Sequence, residues 1–345
     1  MSEDFKNILL IKPSSLGDVV QALPALSALH RRFPAAKISW LIRPEFAALV
    51  ENHPHLTETV LFDRRFLGKA WFHPRALFCL LSLIRRLRRS QFDLVIDLQG
   101  LCRTACLGWL SGCKKRFGMA DAREFAPIFY THKIEQDEDC VHVVDYYLKI
   151  VWSAGASETE VQFLLPVNSN AADSVNKLLE SHGIKPDNYV VFVPGSAHKS
   201  KCWPACNFAS LAEKMAAKFR LSIILVGTGP ERLITEEIVS ASNVKVTDFT
   251  GLTTLPELVA LFKGARVVVS NDTGPGHIAA ALGTPLVMIF GPSNPIRLFP
   301  YGRAKTLVAV DPFGRGLKLQ SSDPAHAIDA ITVDEVYRKV CEQIG

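Results

Sequence analysis

The fold is decided by the stretch Ser270-Asn271-Asp272-Thr273-Gly274-Pro275-Gly276-His277, which joins an apolar segment at residues 266–269 to small apolar residues at 278–282. The first segment predicts a buried strand, and the second predicts a helix packed closely on a sheet. Ligands of open α/β sheets bind at the carboxyl ends of the strands, where this polar turn falls. A helix start offers unpaired N–H groups to an anion, and Gly274 and Gly276 would let a phosphate approach the backbone. An anion site is therefore predicted, although Asp272 and Thr273 could also be helix caps.

The beginning of the chain carries a second unit of the same kind. Residues 7–12 form a short apolar strand pattern, residues 13–18 a polar loop with one glycine, and residues 19–29 a helical pattern. The chain has 345 residues, which exceeds the size at which single cores usually stop growing. Two α/β domains, each with its own strand–loop–helix unit, are therefore expected.

Strand and helix patterns alternate through both halves, which predicts two parallel sheets. Strand patterns occupy residues 7–12, 37–42, 59–62 and 92–97 in the first half and 189–193, 222–226, 244–247, 267–270 and 286–290 in the second. The alternation breaks at residues 163–170. We therefore predict an N-terminal domain of residues 1–167 and a C-terminal domain of residues 168–345. A last helix at 333–344 could cross back to pack on the first domain.

The composition is that of an ordinary soluble globular protein, with 48% hydrophobic and 21% charged residues. The eight cysteines are scattered, and the first residues predict a strand and no signal segment, so we expect a reduced, cytoplasmic protein. No apolar run approaches the roughly 20 residues that span a bilayer.

Positive charge is concentrated in one region of the chain. Between Arg64 and Arg123, thirteen Lys or Arg residues stand against three acidic ones, a local excess of +10 in a chain of net charge +5. Within this region, the apolar residues 76–84 lead into Arg85-Arg86-Leu87-Arg88-Arg89. A crossover helix with a solvated last turn would show this pattern, and so would a helix attracted to the acidic cytoplasmic leaflet of a membrane. The excess is local and accompanies no nucleic-acid-binding motif, which argues against a nucleic-acid partner.

Three ordered motifs resemble those of the lipopolysaccharide heptosyltransferases, which are family-9 glycosyltransferases of the GT-B fold. The motifs are Lys12-Pro13-Ser14-Ser15-Leu16-Gly17-Asp18, Lys201-Cys202-Trp203-Pro204 and Asp272-Thr273-Gly274-Pro275-Gly276-His277, and residues 92–100 and 291–293 also fit. The resemblance covers nearly the whole chain in order and spacing. Residues 64–72 and 121–124 are most similar to the heptosyltransferase I group.

The resemblance implies a fold, a reaction and its partners. The fold would be α/β, with two Rossmann-like domains whose parallel sheets face a central cleft. The reaction would transfer L-glycero-D-manno-heptose from ADP-heptose to the inner core of lipopolysaccharide, with inversion at the anomeric carbon and no obligatory metal. For the heptosyltransferase I group, the acceptor would be Kdo-lipid A.

Asp18 is the candidate catalytic base. Inverting transfer needs a group that takes the proton of the acceptor hydroxyl as this hydroxyl attacks. Asp18 follows the first strand, where a helix start would keep it ionised. A helix cap is the alternative interpretation of an aspartate at this place, and the resemblance favours the catalytic role.

The departing diphosphate needs cations and N–H donors around it. The family pattern selects Lys201, and Lys199 competes for the same role. Ser196, after a Pro-Gly turn, offers a hydroxyl group. The N–H groups of Thr273 and Gly274 would complete the phosphate site.

Three further residues are assigned to the donor. Asp272 belongs to the third motif of the resemblance. His277 would contact a phosphate or the donor sugar, or instead form a hydrogen bond inside its own loop, and the sequence leaves this open. Glu231 follows a glycine-containing loop after another strand, where a carboxylate could bind a ribose hydroxyl.

Acceptor binding is assigned to Arg64, Arg65, Lys69 and Arg123, because Kdo carboxylates and lipid A phosphates suit the forked donors of arginine. No metal site is predicted. Two other functions remain open: a family-9 transferase that adds a later heptose or a different sugar, and a non-catalytic protein that binds a nucleotide sugar. The presence of Asp18 argues against the second.

Overall fold

The computed structural model describes residues 4–137, 141–156, 160–313, 315 and 318–345. The chain divides into two compact units, Met1–Pro166 and Val167–Gly345. The division lies one residue before the domain boundary expected from the sequence. Each unit contains a six-stranded sheet whose neighbouring strands are all parallel.

The first unit alternates strands and helices. Its strands are β1 (Asn7–Ile11), β2 (Lys37–Ile42), β3 (Glu58–Leu61), β4 (Leu94–Asp97), β5 (Arg116–Met119) and β6 (His132–Ile134). Its helices are α1 (Leu16–Gln21), α2 (Leu23–Arg32), α3 (Pro44–Val50), α4 (Arg64–Leu67), α5 (Pro74–Arg89), α6 (Cys102–Leu110) and α7 (Val143–Ser153).

The strand order of the first sheet is β3-β2-β1-β4-β5-β6, the order of dinucleotide-binding folds. The order reverses between β1 and β4, where Ile11 is aligned with Asp97. Residues 8–11 of β1 are fully buried, because a central parallel strand is covered by helices on both faces.

The second unit repeats this architecture. Its strands are β7 (Tyr189–Val193), β8 (Ser222–Leu225), β9 (Val246–Asp248), β10 (Val267–Asn271), β11 (Leu286–Phe290) and β12 (Leu307–Ala309). Its helices are α8 (Ser169–Ser181), α9 (Ala205–Phe219), α10 (Arg232–Ala241), α11 (Leu255–Lys263), α12 (Gly274–Ala281), α13 (Pro295–Leu298) and α14 (Val333–Ile344). The sheet order is β12-β11-β10-β7-β8-β9, so the reversal lies between β7 and β10.

The last helix packs in the core of the second unit, whereas the sequence left open whether it would pack on the first. α14 lies against α9 and the strands β10 and β11. Val336 and Val340 are fully buried and belong to the same core cluster as Phe208 and Val269. The spacing of these two valines, one turn apart, gives α14 the apolar stripe that this core covers.

Candidate active site

In the first unit, polar side chains gather where the strand order reverses. Lys12 directly follows β1, Asp97 ends β4, and Asp18 lies in the first turn of α1. The buried ammonium Nζ of Lys12 donates to the carbonyl oxygen of Leu98 at 3.1 Å and lies 3.9 Å from Oδ2 of Asp18. The carboxyl edge of this sheet therefore presents a cation beside the candidate base.

Asp18 takes part in capping α1. A capping role and the candidate role as catalytic base are therefore both compatible with its position. Ser15 is the N-cap of α1, and Asp18 is the third residue of the helix. Its Oδ2 accepts hydrogen bonds from the backbone N–H and the hydroxyl of Ser15 at 2.8 and 2.9 Å. These bonds fix the carboxylate while its side chain stays 32% exposed. A fixed and accessible carboxylate can accept a proton.

Lys12 is the residue of this edge that the sequence analysis did not assign to the site. Burial lowers the pKa of Lys12, while the nearby charges of Asp18 and Asp97 act in the opposite direction. Its position in the first motif, directly before the loop to Asp18, is the signal that would have found it.

Asp97 was also not assigned to the site. Burial raises the pKa of its carboxyl group, and hydrogen bonds from its neighbours oppose that shift. The donors are the N–H groups of Gln99 and Gly100 and the hydroxyls of Thr104 and Tyr130, at 2.8–3.3 Å. With all these donors around it, Asp97 fixes the loop after β4, whose Leu98 carbonyl in turn holds Lys12.

The predicted acceptor residues fall at two separate places on the first unit. Arg64 and Arg65 open α4 after β3, and Lys69 follows that helix. Arg123 follows β5, and its N–H donates to the carbonyl oxygen of Gly100 at 3.1 Å. β3 and β5 are four strand positions apart, which is roughly 19 Å. All four side chains are exposed, and they do not form one cluster.

In the second unit, the predicted donor residues follow three adjacent strands. Asp272 and Thr273 follow β10, Ser196 and Lys201 follow β7, and Glu231 follows β8. β7 and β10 flank the reversal of the sheet order, where α/β folds bind their ligands, and β8 lies next to β7.

Lys201 and Asp272 form an ion pair at this edge. Nζ of Lys201 lies 2.7 Å from Oδ2 of Asp272, and the two side chains are 15% and 5% exposed. Asn271 supports the pair: its amide donates to the carbonyl oxygen of Pro194 at 2.7 Å and its Oδ1 accepts from the N–H of Trp203 at 3.2 Å. An ammonium has three donors, so the bond to Asp272 leaves Lys201 able to bind a diphosphate oxygen as well.

The helix after β10 begins earlier than the apolar residues 278–282 predict. α12 begins at Gly274, with Thr273 as its N-cap, so Gly276 lies inside the helix and His277 lies in its first turn. A Cβ atom on Gly276 would lie 2.9 Å from both Met288 Cε and Ser270 Oγ. Gly276 is therefore needed for close packing of the helix on the sheet.

His277 is buried beside the ion pair. Its Nε2 lies 3.9 Å from Oδ1 of Asp272, and its side chain is 7% exposed. The structure thus places His277 against the carboxylate of its own loop.

Glu231 and Ser196 are brought together by the loops after β8 and β7. Oε2 of Glu231 accepts from the N–H and the hydroxyl of Thr228 at 2.6 and 2.8 Å. A Cβ atom on Gly195 would lie 2.1 Å from Oε1 of Glu231, so this carboxylate lies directly over the turn that carries Ser196. Lys199, the competitor of Lys201, is exposed.

Among the described residues, no three His, Cys, Asp or Glu side chains converge as a metal-binding group. In the same part of the chain, no helix combines the length and apolar character needed to cross a membrane. The seven cysteines described are unpaired.

Two Rossmann-like units in one chain, each with polar side chains where its strand order reverses, define the GT-B class of glycosyltransferases. Residues 80–327 match glycosyltransferase family 9 (heptosyltransferase). The chain belongs to this family and is a glycosyltransferase.

Relatives of known name match over most of their length. Lipopolysaccharide heptosyltransferase 1 of Pseudomonas aeruginosa is 30% identical over 317 residues, which cover 88% of this chain and 84% of that protein. The glycosyl transferase family 9 structure from Veillonella parvula has a TM-score of 0.85 at 23% identity, covering 100% of this chain and 98% of that one. Heptosyltransferase WaaC of Escherichia coli with ADP has a TM-score of 0.77 at 25% identity, covering 98% and 99%.

Proposed function

We propose that this enzyme transfers L-glycero-D-manno-heptose from ADP-heptose to the Kdo residue of a Kdo-lipid A acceptor, with inversion at the anomeric carbon. The observation that carries the proposal is the buried Lys201–Asp272 ion pair, which holds a cation at the sheet edge where a nucleotide diphosphate would bind. The 30% identity with the Pseudomonas lipopolysaccharide heptosyltransferase 1 supports the choice of donor and acceptor.

The second unit would bind the donor. Lys201 would contact the diphosphate, and the N–H groups at the start of α12, at Thr273 and Gly274, would share its charge. Ser196 would add a hydroxyl donor. As the glycosidic bond to phosphate breaks, negative charge grows on the departing ADP, and these fixed donors would stabilise that charge.

Glu231 would orient the nucleoside end of the donor. Its Oε1 lies over the Gly195 turn, and a carboxylate oxygen there can accept a hydrogen bond from a ribose hydroxyl. His277 would act through Asp272, since its Nε2 lies 3.9 Å from that carboxylate.

The first unit would bind the acceptor and supply the base. Arg64, Arg65, Lys69 and Arg123 would bind the acidic groups of Kdo-lipid A. The acceptor hydroxyl attacks the anomeric carbon as the bond to the diphosphate breaks, and its proton goes to Asp18. Lys12, 3.9 Å from Asp18, would hold this carboxylate in position.

The test is a comparison of kcat/KM for donor and acceptor pairs, measured as release of the nucleoside diphosphate. We expect kcat/KM to be much higher with ADP-heptose than with UDP-linked sugars. It should also be much higher with Kdo-lipid A than with an acceptor that already carries its first heptose. Preference for the heptosylated acceptor would instead assign the enzyme to a later transfer. Binding of ADP-heptose without turnover on either acceptor would favour a non-catalytic role.

We also propose that transfer needs no metal ion, because Lys201 and the N–H groups of α12 supply the positive charge that a cation would supply. Turnover should then be unchanged in EDTA. A loss of activity in EDTA that Mg²⁺ restores would contradict this part of the proposal.

A further inference from the structure

The segment between β3 and β4 carries an exposed aromatic surface. Trp71, Phe72 and Phe78 have 91%, 89% and 73% of their surface in solvent, and Leu81 has 56%. We call these four residues the apolar face. Large side chains exposed to this extent and close together in sequence mark an interaction site.

The geometry of α5 accounts for two residues of the apolar face, Phe78 and Leu81, and Trp71 and Phe72 lie just before this helix. Ala76, Leu83 and Leu87 point inward and are buried. Phe78 and Leu81 lie on the opposite side of the helix, since residues three and four apart share one face. Arg85 continues that outer side one turn beyond Leu81, about 6 Å further along the axis.

The surroundings of the apolar face are strongly cationic. Residues 64–89 contain eight Lys or Arg residues and no Asp or Glu. Beyond the apolar face, a depression of about 290 Å³ is lined by Ser82, Arg85, Arg86, Arg89 and Ser90.

Two of the arginines in this depression are available for a ligand. Arg86 is paired with Glu58 at 2.7 Å, whereas Arg85 and Arg89 have no acidic partner among the described residues. Two guanidinium groups beside two hydroxyls suit a phosphate group.

We propose that this surface docks on an anionic lipid bilayer, with the apolar face inserted at the headgroup level and Arg85 and Arg89 bound to lipid phosphates. Exposed Trp and Phe beside a row of basic residues is the pattern of helices that lie in a membrane interface. Basic residues near such a surface are attracted by its negative potential.

The charge decides between a membrane and the other occupants of such a surface. A second copy of this chain would bring the same eight cations against one another, which repels. A bilayer offers both an apolar layer and a sheet of phosphates, and so satisfies the two halves of the surface together. Docking does not depend on the proposed acceptor, because lipids without sugar are sufficient for it.

The test is co-sedimentation of the enzyme with vesicles of phosphatidylethanolamine and phosphatidylglycerol, against vesicles of phosphatidylcholine alone. The native protein should bind the anionic vesicles, and the emission of Trp71 should shift to the blue on binding. Phe72→Ser with Phe78→Ser should weaken binding at least roughly tenfold, since two inserted rings are removed. Arg85→Gln with Arg89→Gln should weaken it about thirtyfold at low salt.

Leu233→Ser is the matched control, because Leu233 is 80% exposed but lies on α10 of the second unit. It should bind vesicles like the native protein. Equal binding by the native protein and by both double variants would overturn the proposal, as would absence of binding to anionic vesicles. Concentration-dependent self-association without vesicle binding would also overturn it and assign the surface to a second copy. Turnover on a soluble, lipid-free Kdo acceptor reports separately on the proposed function.

Discussion

At the scale of single residues, the ion pair with Asp272 distinguishes Lys201 from Lys199, which lies two positions earlier in the sequence. Lys199 is exposed, whereas Lys201 is held 2.7 Å from a buried carboxylate. Lys201→Met should weaken ADP binding by roughly thirtyfold, because a hydrogen bond to a charged group contributes about 2 kcal/mol. Isothermal titration with ADP measures this directly.

Lys199→Met is the control for that substitution and should bind ADP like the native enzyme. Lys201→Met also leaves Asp272 buried without its partner, so a loss of stability is expected. Equal ADP affinities for the two methionine variants would show that Lys201 does not contact the diphosphate.

Asp18 has two roles in this account, and two substitutions separate them. Asp18→Asn keeps an oxygen that can accept from Ser15 but removes the base, so kcat should fall by roughly 10²–10⁴ with little change in stability. Ser15→Ala removes the N-cap hydroxyl, which costs about 1 kcal/mol, and leaves the carboxylate. Turnover and urea unfolding are measured on both. If both variants lose activity to a similar extent, and each loss follows the variant's loss of stability, Asp18 is a capping residue and not the base.

The sequence analysis selected charged residues of the loops as site candidates but did not select Lys12 and Asp97, which position the loops of the first unit. Lys12 and Asp97 end apolar strand patterns, and only the pairing of β1 with β4 brings their loops together. The first motif could have indicated Lys12, but strand order is a non-local property, so the sequence pattern does not show that the loops of Lys12 and Asp97 meet.

At the scale of elements, Gly195 controls where the carboxylate of Glu231 lies. In Gly195→Ala, the new methyl group would meet Oε1 of Glu231 at 2.1 Å, so this side chain must leave the turn. We expect donor affinity to fall at least tenfold, with a stability change of about 1 kcal/mol from the disturbed cap at Thr228.

Gly229→Ala is the matched control in the same pair of loops, since a Cβ atom there meets nothing within 4 Å. Its donor affinity and stability should be close to native. Both are measured by ADP-heptose titration and thermal unfolding. A native donor affinity in Gly195→Ala would exclude Glu231 from the donor site.

The loop after α3 contains a buried histidine, His53. His53 accepts from the N–H of His55 through Nδ1 and donates through Nε2 to the carbonyl oxygen of Leu164 at 2.9 Å. Burial, followed by the charges of His55 and His30, lowers the pKa of His53 from 6.5 to about 4. Burial also lowers the pKa of His55, and the charges of His30, which stacks on it, and of Arg31 act in the same direction.

The unfolded chain binds a proton at His53 more readily than the folded chain does. Neutral His53 therefore contributes to the free energy of unfolding in full above pH 6.5, and this contribution disappears as the pH falls toward 4. Its size is on the order of 3 kcal/mol. Urea unfolding, monitored by tryptophan fluorescence, measures the free energy of unfolding. Between pH 6.5 and 4.5 this free energy should fall less in His53→Gln than in the native protein. Parallel pH profiles would contradict this assignment.

The start of α12 shows where local patterns mislead. Gly274, Pro275 and Gly276 predict a turn by composition, yet they form the first residues of the helix. Proline is tolerated in the first turn of a helix, and Gly276 is required by the close contact with Ser270. Tertiary packing decided what propensity alone could not.

At the scale of the whole molecule, the sequence predicted two α/β units and the parallel sheets, because central strands are long apolar runs. It missed β5, β6 and β12, which have only three or four residues. β5 contains glycine and β6 is polar, and the three apolar residues of β12 are too short a run to predict a strand. It left open whether α14 packs on the first unit, since the stripe of Val336 and Val340 shows that a face is buried but not which core buries it.

Mass spectrometry of Kdo-lipid A, after incubation with ADP-heptose and the enzyme, shows whether a heptose is transferred to this acceptor. We expect the acceptor to gain the mass of one heptose residue, in proportion to the ADP released, and Asp18→Asn to give neither product. An unmodified acceptor, with ADP-heptose left bound or merely hydrolysed, would contradict the proposed transfer.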